Sequence, residues 1–224
     1  MRYERRTRYA GLQPVTSLTE RRKAATQLEI SRRAGELFST RGASAVTAEE
    51  IAAAAGIGLR TFYRYFRTKE EAVAPLLAGG VTGWIAYLTE DSNPAARSSV
   101  RDAIESATRR ALTPADDVAE EMLHWTRGLL RTVHDEPGLH AVWLRVQHDS
   151  EEGLVGALAT RMDPDADPMV VRLTAAAVNA AMRIAVETWA ATDAPTTGPG
   201  GPADLAERCM RTLLDHPALA VENN

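Results

Sequence analysis

TAEEIAAAAGIGLRTFYRYFRTKEE, residues 47–71, contains two short helical segments on either side of a tight glycine turn. Thr47 is a typical helix N-cap residue, and a glutamate three positions later completes a capping box. Gly56 follows the first helix, at the position where helices commonly end with a residue in the left-handed conformation. Glycine adopts this conformation without steric cost. Gly58 is then the N-cap of the second helix. Two short helices joined in this way predict a helix-turn-helix.

The second helix, residues 59–66, separates its side chains into two faces when it is turned by about 100° per residue. Phe62 and Phe66 share the face that we expect to be buried. The opposite face carries side chains that suit a DNA major groove: Arg60, Thr61, Arg64 and Tyr65, with Tyr63 at the border. A solvated helix with two ordinary arginines has the same pattern, so these faces alone leave DNA binding open.

Residues 28–78 resemble the TetR family of regulators, in which a Thr-capped helix precedes I-A-x-x-A-G, a V-S-like turn and T-F/L-Y-x-H/Y-F-x-x-K-E. The matching residues are Ile30, Ala34, Leu37, Phe38, Gly42, Thr47, Ile51, Ala52, Ala55, Gly56, Ile57, Thr61, Phe62, Tyr63, Tyr65, Phe66, Lys69 and Glu70. One departure is Gly58, where the family usually has serine, although glycine is also an acceptable N-cap. The resemblance implies a set of DNA-binding residues: Thr47, Arg60, Thr61, Tyr63, Arg64 and Tyr65, with Lys69 on a phosphate.

Charge is distributed unevenly along the 224 residues. Residues 1–75 hold 14 Lys/Arg against 8 Asp/Glu, whereas residues 76–224 hold 12 against 22. The basic first third indicates contact with a polyanion such as nucleic acid, although a chance asymmetry of solvated charge gives the same count. Cys209 is the single cysteine, and no secretory signal or run of roughly 18–20 apolar residues is evident, so we expect a cytoplasmic protein.

Helix signals dominate the chain, and strand signals are nearly absent. Prolines that follow a cap or a turn mark predicted helix starts at Pro94, Pro114, Pro137 and Pro168. The sequence therefore predicts an all-α fold of about nine helices, near residues 20–41, 48–55, 59–66, 69–90, 94–111, 114–134, 137–161, 168–192 and 203–215. It divides into a flexible basic arm (1–18), a three-helix DNA-binding domain (19–75), an effector-binding and dimerisation domain (76–216) and a disordered tail (217–224).

The helix predicted near 69–90 should link the two domains. Thr68 and Glu71 form a second capping box at its start, and Pro75 should kink it near residues 71–75. Gly79 and Gly80 should weaken it one turn later. The alternative, which the sequence leaves open, is that Pro75 only ends one helix and that the two glycines form a passive linker.

The second domain of TetR-like proteins is helical and holds an effector pocket and a dimer interface. Aromatic and methionine side chains on the helices that usually wall this pocket are Trp84, Tyr87, Met122, Trp125, Trp143 and Met182. Each is also explained by ordinary core packing. The helix near 168–192 is apolar on most of its surface, so it must be buried on more than one side. This favours a homodimer through the last two helices over a monomer in which those helices are central.

The sequence therefore predicts a DNA-binding transcriptional regulator, a repressor that a small-molecule effector releases from its operator. A helical enzyme is one alternative, although no phosphate loop, HExxH or G-x-S-x-G motif is present. An architectural DNA-binding protein without an effector is the other. The histidines lack close ligand spacing, so we expect no metal site and no cofactor.

Overall fold

The computed structural model describes residues 17–90 and 99–214, and these residues form nine α-helices and one 3-10 turn. The helices are α1 (Leu18–Arg41), α2 (Ala48–Ala54), α3 (Leu59–Tyr65), α4 (Ala74–Glu90), α5 (Val100–Leu112), α6 (Asp117–Thr132), α7 (Pro137–Ala159), α8 (Pro168–Ala190) and α9 (Pro202–Leu214). The 3-10 turn, Glu70–Val73, precedes α4. The predicted all-α class is confirmed. The predicted tail and all but the end of the predicted arm lie outside the described residues.

Local capping chemistry sets where the helices of the second half begin. Pro137 and Pro168 are the first residues of α7 and α8, as the sequence predicts. Helix α5 begins at Val100, after a capping box formed by Ser99, and its predicted start at residue 94 lies outside the described residues. The predicted start of α6 at residue 114 is wrong. There the Asp116 side chain accepts from the Ala119 amide at 2.8 Å and starts the helix three residues later.

The junction between the helix-turn-helix and α4 differs from the predicted kinked helix. A 3-10 turn ends at Val73, and α4 begins at Ala74, so Pro75 lies in the first helical turn. Proline is tolerated there, because the amide it lacks would have no helical partner. Gly79 and Gly80 lie inside α4 rather than in a linker. The predicted proline kink is therefore wrong, and the interruption is a change of helix type.

Two clusters of buried side chains form the core. The first joins α1–α3 to α6 and α7, and its members include Ile30, Phe38 and Phe62 with Leu129 and Val142. The second joins α4, α5, α7, α8 and α9. The first core is therefore shared between the helix-turn-helix and helices of the C-terminal half, which holds the two parts of the chain in one packed unit.

Close helix contacts at glycine reinforce this connection. A Cβ at Gly128 of α6 would lie 2.4 Å from Ser39 Cβ and 3.1 Å from Ser39 Cα in α1. A Cβ at Gly138 of α7 would lie 2.8 Å from Glu70 Cγ. At Gly128 the contact includes the Ser39 backbone, so only a residue without a side chain allows α1 and α6 to approach so closely, whereas the Glu70 side chain beside Gly138 could move.

Two segments, Glu70–Glu90 and Pro168–Ala190, have the length and composition of membrane-spanning helices. Each contributes to the buried cores, however, with Trp84 and Leu88 in the first segment and Ala175 and Val178 in the second. Core helices of soluble proteins pass the same test. The polar Asn179 of α8 is buried as well, and its Oδ1 accepts from Ser150 Oγ of α7 at 2.8 Å.

Candidate nucleic-acid interface

The first helix of the motif is fixed at its N-terminus by the predicted capping box. Thr47 Oγ1 accepts from the Glu50 amide at 3.2 Å, and Glu50 Oε2 accepts from the Thr47 amide at 2.8 Å. That amide, followed by an ion pair with Arg41, lowers the pKa of Glu50 below its ordinary value. Gly56 has a φ of 67°, the left-handed conformation that the sequence predicts for the turn. The Thr47 side chain is therefore committed to the cap.

Helix α3 is anchored by its aromatic face. Phe62 is completely buried and Phe66 is 6% exposed, with ring centroids 5.8 Å apart. Tyr63 packs edge-on against Phe62 yet remains 52% exposed. Arg60 and Arg64 are exposed on the opposite side. The helix thus presents two guanidinium groups and a phenol to solvent from a rigid base.

Two residues of the predicted DNA-binding set are less exposed than the rest. Thr61 is half-buried, and Tyr65 is half-buried against the first core. Helix α3 ends at Tyr65, and Phe66 has an extended backbone, so the chain turns away from the helical path there. The Arg64 guanidinium lies 5.4 Å from the Tyr65 ring centroid. A straight helical wheel could not show this turn.

Lys69 has an intramolecular role that the sequence did not predict. Its ammonium donates to the carbonyl oxygens of Ala43 and Val46, each at 2.7 Å, in the loop between α1 and α2. A lysine ammonium has three protons, so one remains for another acceptor. Half of the predicted capping box beside it is present: the Glu71 amide donates to Thr68 Oγ1, whereas the Glu71 carboxylate turns to the Arg67 amide.

The six predicted pocket residues lie in two different cores. Trp84 and Met182 are buried in the second cluster, and Tyr87 packs on it beneath the Arg110 guanidinium, 4.0 Å from the ring centroid. The others belong to the first cluster: Met122, Trp125 and Trp143. Trp143 Nε1 donates to Glu187 Oε1 at 2.7 Å. The structure therefore does not bring the six together around one cavity.

A cleft of about 600 Å³ lies elsewhere, between the helix-turn-helix, α4 and α7. One wall is formed by the residues at the end of α3 and just after it, Tyr65, Phe66 and Arg67. Another wall is formed by Arg145 and Asp149 of α7. The sequence analysis missed this site. The spacing of Arg145 and Asp149 places them on one helix face, but nothing local indicates that this face meets the end of α3.

An apolar groove runs between α8 and α9 on the outer surface. Its lining is mostly small and aliphatic, and includes Ala180, Ile184, Leu205, Cys209 and Leu213. Burial raises the pKa of the Cys209 thiol, which keeps it neutral in this environment. The groove lies between the last two helices, the pair through which the sequence analysis expects a homodimer.

Comparisons with known proteins agree with this architecture. Residues 29–74 match the bacterial regulatory proteins of the tetR family, and residues 102–216 match the MftR C-terminal domain. The HTH-type transcriptional regulator TcmR of Streptomyces glaucescens is 30% identical over 177 residues, which cover 77% of this chain and 76% of TcmR.

Solved structures show the same fold at low identity. A TetR-family regulator from Syntrophomonas wolfei superimposes with a TM-score of 0.63 at 16% identity, covering 89% of this chain and 97% of that one. FadR of Thermus thermophilus, a TetR-family repressor in complex with lauroyl-CoA, gives a TM-score of 0.50 at 23% identity, covering 84% and 93%.

Proposed function

The chain belongs to the TetR family of bacterial transcriptional regulators, and from this membership we propose that it is a cytoplasmic repressor released from its operator by a small molecule. The family and the matched relatives are DNA-binding regulators rather than enzymes. Repression and effector release are typical of that family and form the proposed part of this function.

The exposed face of α3 carries the proposal. Arg60 and Arg64 project from a helix whose other face is locked by Phe62 and Phe66. Arginine forks onto guanine edges in the major groove, and a buried aromatic anchor holds the helix at a fixed angle. Thr61, Tyr63 and Tyr65 complete the proposed reading surface.

Thr47 and Lys69 are proposed to lie at the edge of this surface, against the DNA backbone. The Thr47 hydroxyl already caps α2, and Lys69 retains one proton for a phosphate oxygen after its two carbonyl bonds. The basic arm, residues 1–18, is proposed to add phosphate contacts.

A two-fold operator requires a two-fold protein, and the α8–α9 groove supplies the proposed interface. Ile184 is 48% exposed beside it, and Leu173 and Met169 on the same helix are 57% and 67% exposed. Large apolar side chains exposed in a row indicate a surface that another protein covers. A second copy of the chain, packed through α8 and α9, would bury them.

Effector binding inside the second domain is supported by a buried donor. Trp84 is completely buried, yet its indole N–H has no hydrogen-bond partner among the described residues. An unpaired buried donor is costly, and a ligand acceptor would satisfy it. Thermus FadR is a relative that carries a ligand, lauroyl-CoA. Of the six predicted pocket residues, Trp84, Tyr87 and Met182 share this core and remain our proposed effector contacts.

Selection of binding sequences from a random duplex pool by the full chain tests the DNA-binding part. We expect one two-fold symmetric consensus. Arg60→Gln and Arg64→Gln should each weaken binding by about 1–3 kcal/mol and relax the sequence at one position per half-site. Arg172→Gln, at an exposed position on α8 without an ion pair to a described residue, is the matched control and should bind normally. Failure to enrich any sequence would refute the proposal, as would arginine variants that bind every sequence with unchanged preference.

Effector release and repression need a second measurement. A reporter gene placed behind the selected sequence should be silenced by the chain, and a small molecule that lowers operator affinity in solution should restore its expression. Activation of the reporter by the chain would contradict repression while leaving sequence-specific DNA binding intact.

A further inference from the structure

We propose that the cleft between the helix-turn-helix, α4 and α7 is a second ligand site, which binds a small amphipathic carboxylate at Arg67 and Arg145. The regulatory consequence of this site rests on the proposed function, because it assumes that α3 binds DNA. The site itself is independent of the six pocket residues predicted in the second domain, since none of them lines the cleft.

The size and floor of the cleft suit an aliphatic or aromatic body. Its volume of about 600 Å³ lies within the range of small-molecule sites, about 300–1,000 Å³. Ala78, Val81 and Ile85 of α4 and Val146 of α7 supply its apolar walls. Val81 and Ile85 are only half-buried, so a ligand would remove further apolar surface from water.

The charged end of the cleft has more free donors than acceptors. Glu71 is already engaged on both oxygens: Oε2 accepts from the Arg67 amide at 2.9 Å, and Oε1 accepts from Arg145 Nη1 at 3.2 Å. Arg145 has further N–H groups available, because a guanidinium carries five. The Arg67 guanidinium donates to no described residue and is exposed. A ligand carboxylate would find charge-assisted donors on both arginines.

Asp149 determines which way the ligand lies. It is exposed one turn beyond Arg145 on the same face of α7 and forms no ion pair with a described residue. Its charge repels an anion, so the carboxylate belongs at the Arg67 end and the apolar body lies along α4. A ligand amine would instead be attracted to Asp149, which makes the charge of the ligand a decisive test.

Binding at this position would act directly on the end of α3 and on the 3-10 turn that follows it. The Arg145–Glu71 ion pair joins α7 to the 3-10 turn that follows α3. A ligand carboxylate competes with Glu71 for Arg145, and the ligand body contacts Tyr65 and Phe66 at the end of α3. A ligand that prefers the free protein to the DNA-bound one must lower operator affinity by the same factor.

Calorimetric titration of the full chain without DNA tests the site, with octanoate as the probe and octanol and octylamine as neutral and cationic counterparts. We expect octanoate to bind once per chain. Arg67→Gln and Arg145→Gln should each weaken it by roughly tenfold, the loss of one charge-assisted hydrogen bond, whereas Arg172→Gln should leave it unchanged. Equal binding of octanol or octylamine would overturn the proposal, as would undetectable octanoate binding.

A variant of the apolar wall gives an independent readout. Val81→Asp places a carboxylate beside the ligand body and should abolish octanoate binding, whereas Val81→Leu should retain it, with circular dichroism showing that both variants are folded. Octanoate binding that survives Val81→Asp would place the ligand elsewhere and overturn the site.

Operator binding, measured separately on the ligand-free chain, distinguishes the two proposals. Octanoate binding through the arginines by a chain that selects no DNA sequence would refute the proposed function and leave the site standing. Sequence-specific DNA binding by a chain that does not bind octanoate would refute the ligand site and leave the proposed function standing.

Discussion

Lys69 is a single side chain that closes the helix-turn-helix against its preceding loop. The carbonyls of Ala43 and Val46 that it contacts lie 26 and 23 residues away in sequence, so no local pattern could predict them. Val46 is completely buried and Lys69 itself is only 25% exposed. In such a place the Val46 carbonyl depends on this ammonium for its hydrogen bond, whereas the Ala43 carbonyl also accepts from the Val46 amide at 3.3 Å.

Lys69→Met should therefore destabilise the fold by about 1–3 kcal/mol, because it leaves the Val46 carbonyl without its described donor. Thermal unfolding measures this loss, and Lys23→Met, on the exposed first turns of α1, is the control expected to change little. The salt dependence of operator binding reports the proposed phosphate contact separately: its loss lowers the slope by about one. Unchanged thermal stability would contradict the structural role of Lys69.

Glu71 makes the same junction sensitive to acid. The Arg67 amide, followed by Arg145, lowers the pKa of its carboxyl below the ordinary value. A carboxyl with a depressed folded pKa stabilises the fold fully above its unfolded pKa, about 4.3, and this contribution disappears as the pH falls through the folded pKa. The stabilisation should thus be complete at neutral pH, begin to fall near the unfolded pKa of about 4.3, and disappear as the pH drops through the lower folded pKa.

The difference in unfolding free energy between the wild type and Glu71→Gln isolates this effect from other carboxyls. It should favour the wild type at pH 7 and shrink towards zero in acid. Glu152→Gln, an exposed position on α7 without an ion pair to a described residue, is the control. A wild-type advantage that persists unchanged in acid would show that the charge of Glu71 is not its source.

At the scale of elements, the sequence predicted which segments are helical better than it predicted the residues at which the helices begin and end. Pro168 with Asp167 before it is a complete local start signal, and α8 begins there. Pro114 has similar chemistry, yet α6 begins three residues later, because Asp116 offers a competing cap. The orientation of Tyr65 was missed for a different reason: the extended backbone at Phe66 is set by how the next segment packs.

The contact between α1 and α6 depends on Gly128. A methyl group there would meet the Ser39 backbone as well as its side chain, so the helices must separate. Gly128→Ala should destabilise the fold by about 1–3 kcal/mol, which lowers the melting temperature by roughly 2–4 °C per kcal/mol in a chain of this size.

Gly156→Ala is a matched control in α7, because a Cβ there meets nothing within 4 Å. The higher helix propensity of alanine should stabilise this variant by up to about 1 kcal/mol. Opposite signs for the two substitutions would separate the close approach of α1 and α6 from propensity. A neutral Gly128→Ala would mean that the two helices tolerate a wider spacing.

At the scale of the whole molecule, the shared first core makes the helix-turn-helix and the helices behind it depend on one another. Phe38 of α1 and Leu129 of α6 belong to the same buried cluster. The predicted boundary at residues 75 and 76 therefore marks a change of role rather than a gap in packing. The interdomain cleft also belongs to this scale, because three separate parts of the chain build it.

The proposed dimer gives the last prediction. The groove between α8 and α9 presents Ala180 and Ile184 to solvent in the single chain, and a partner that packs there would remove them from water. Ala180→Glu places a carboxylate in that interface, where an unpaired charge costs far more than the contact provides. The variant should be monomeric or insoluble, whereas Ala180→Ser should dimerise. Light scattering should give the wild type twice its 24.3 kDa chain mass. A wild-type mass of one chain would refute the dimer, and with it the reading of a two-fold operator by paired α3 helices.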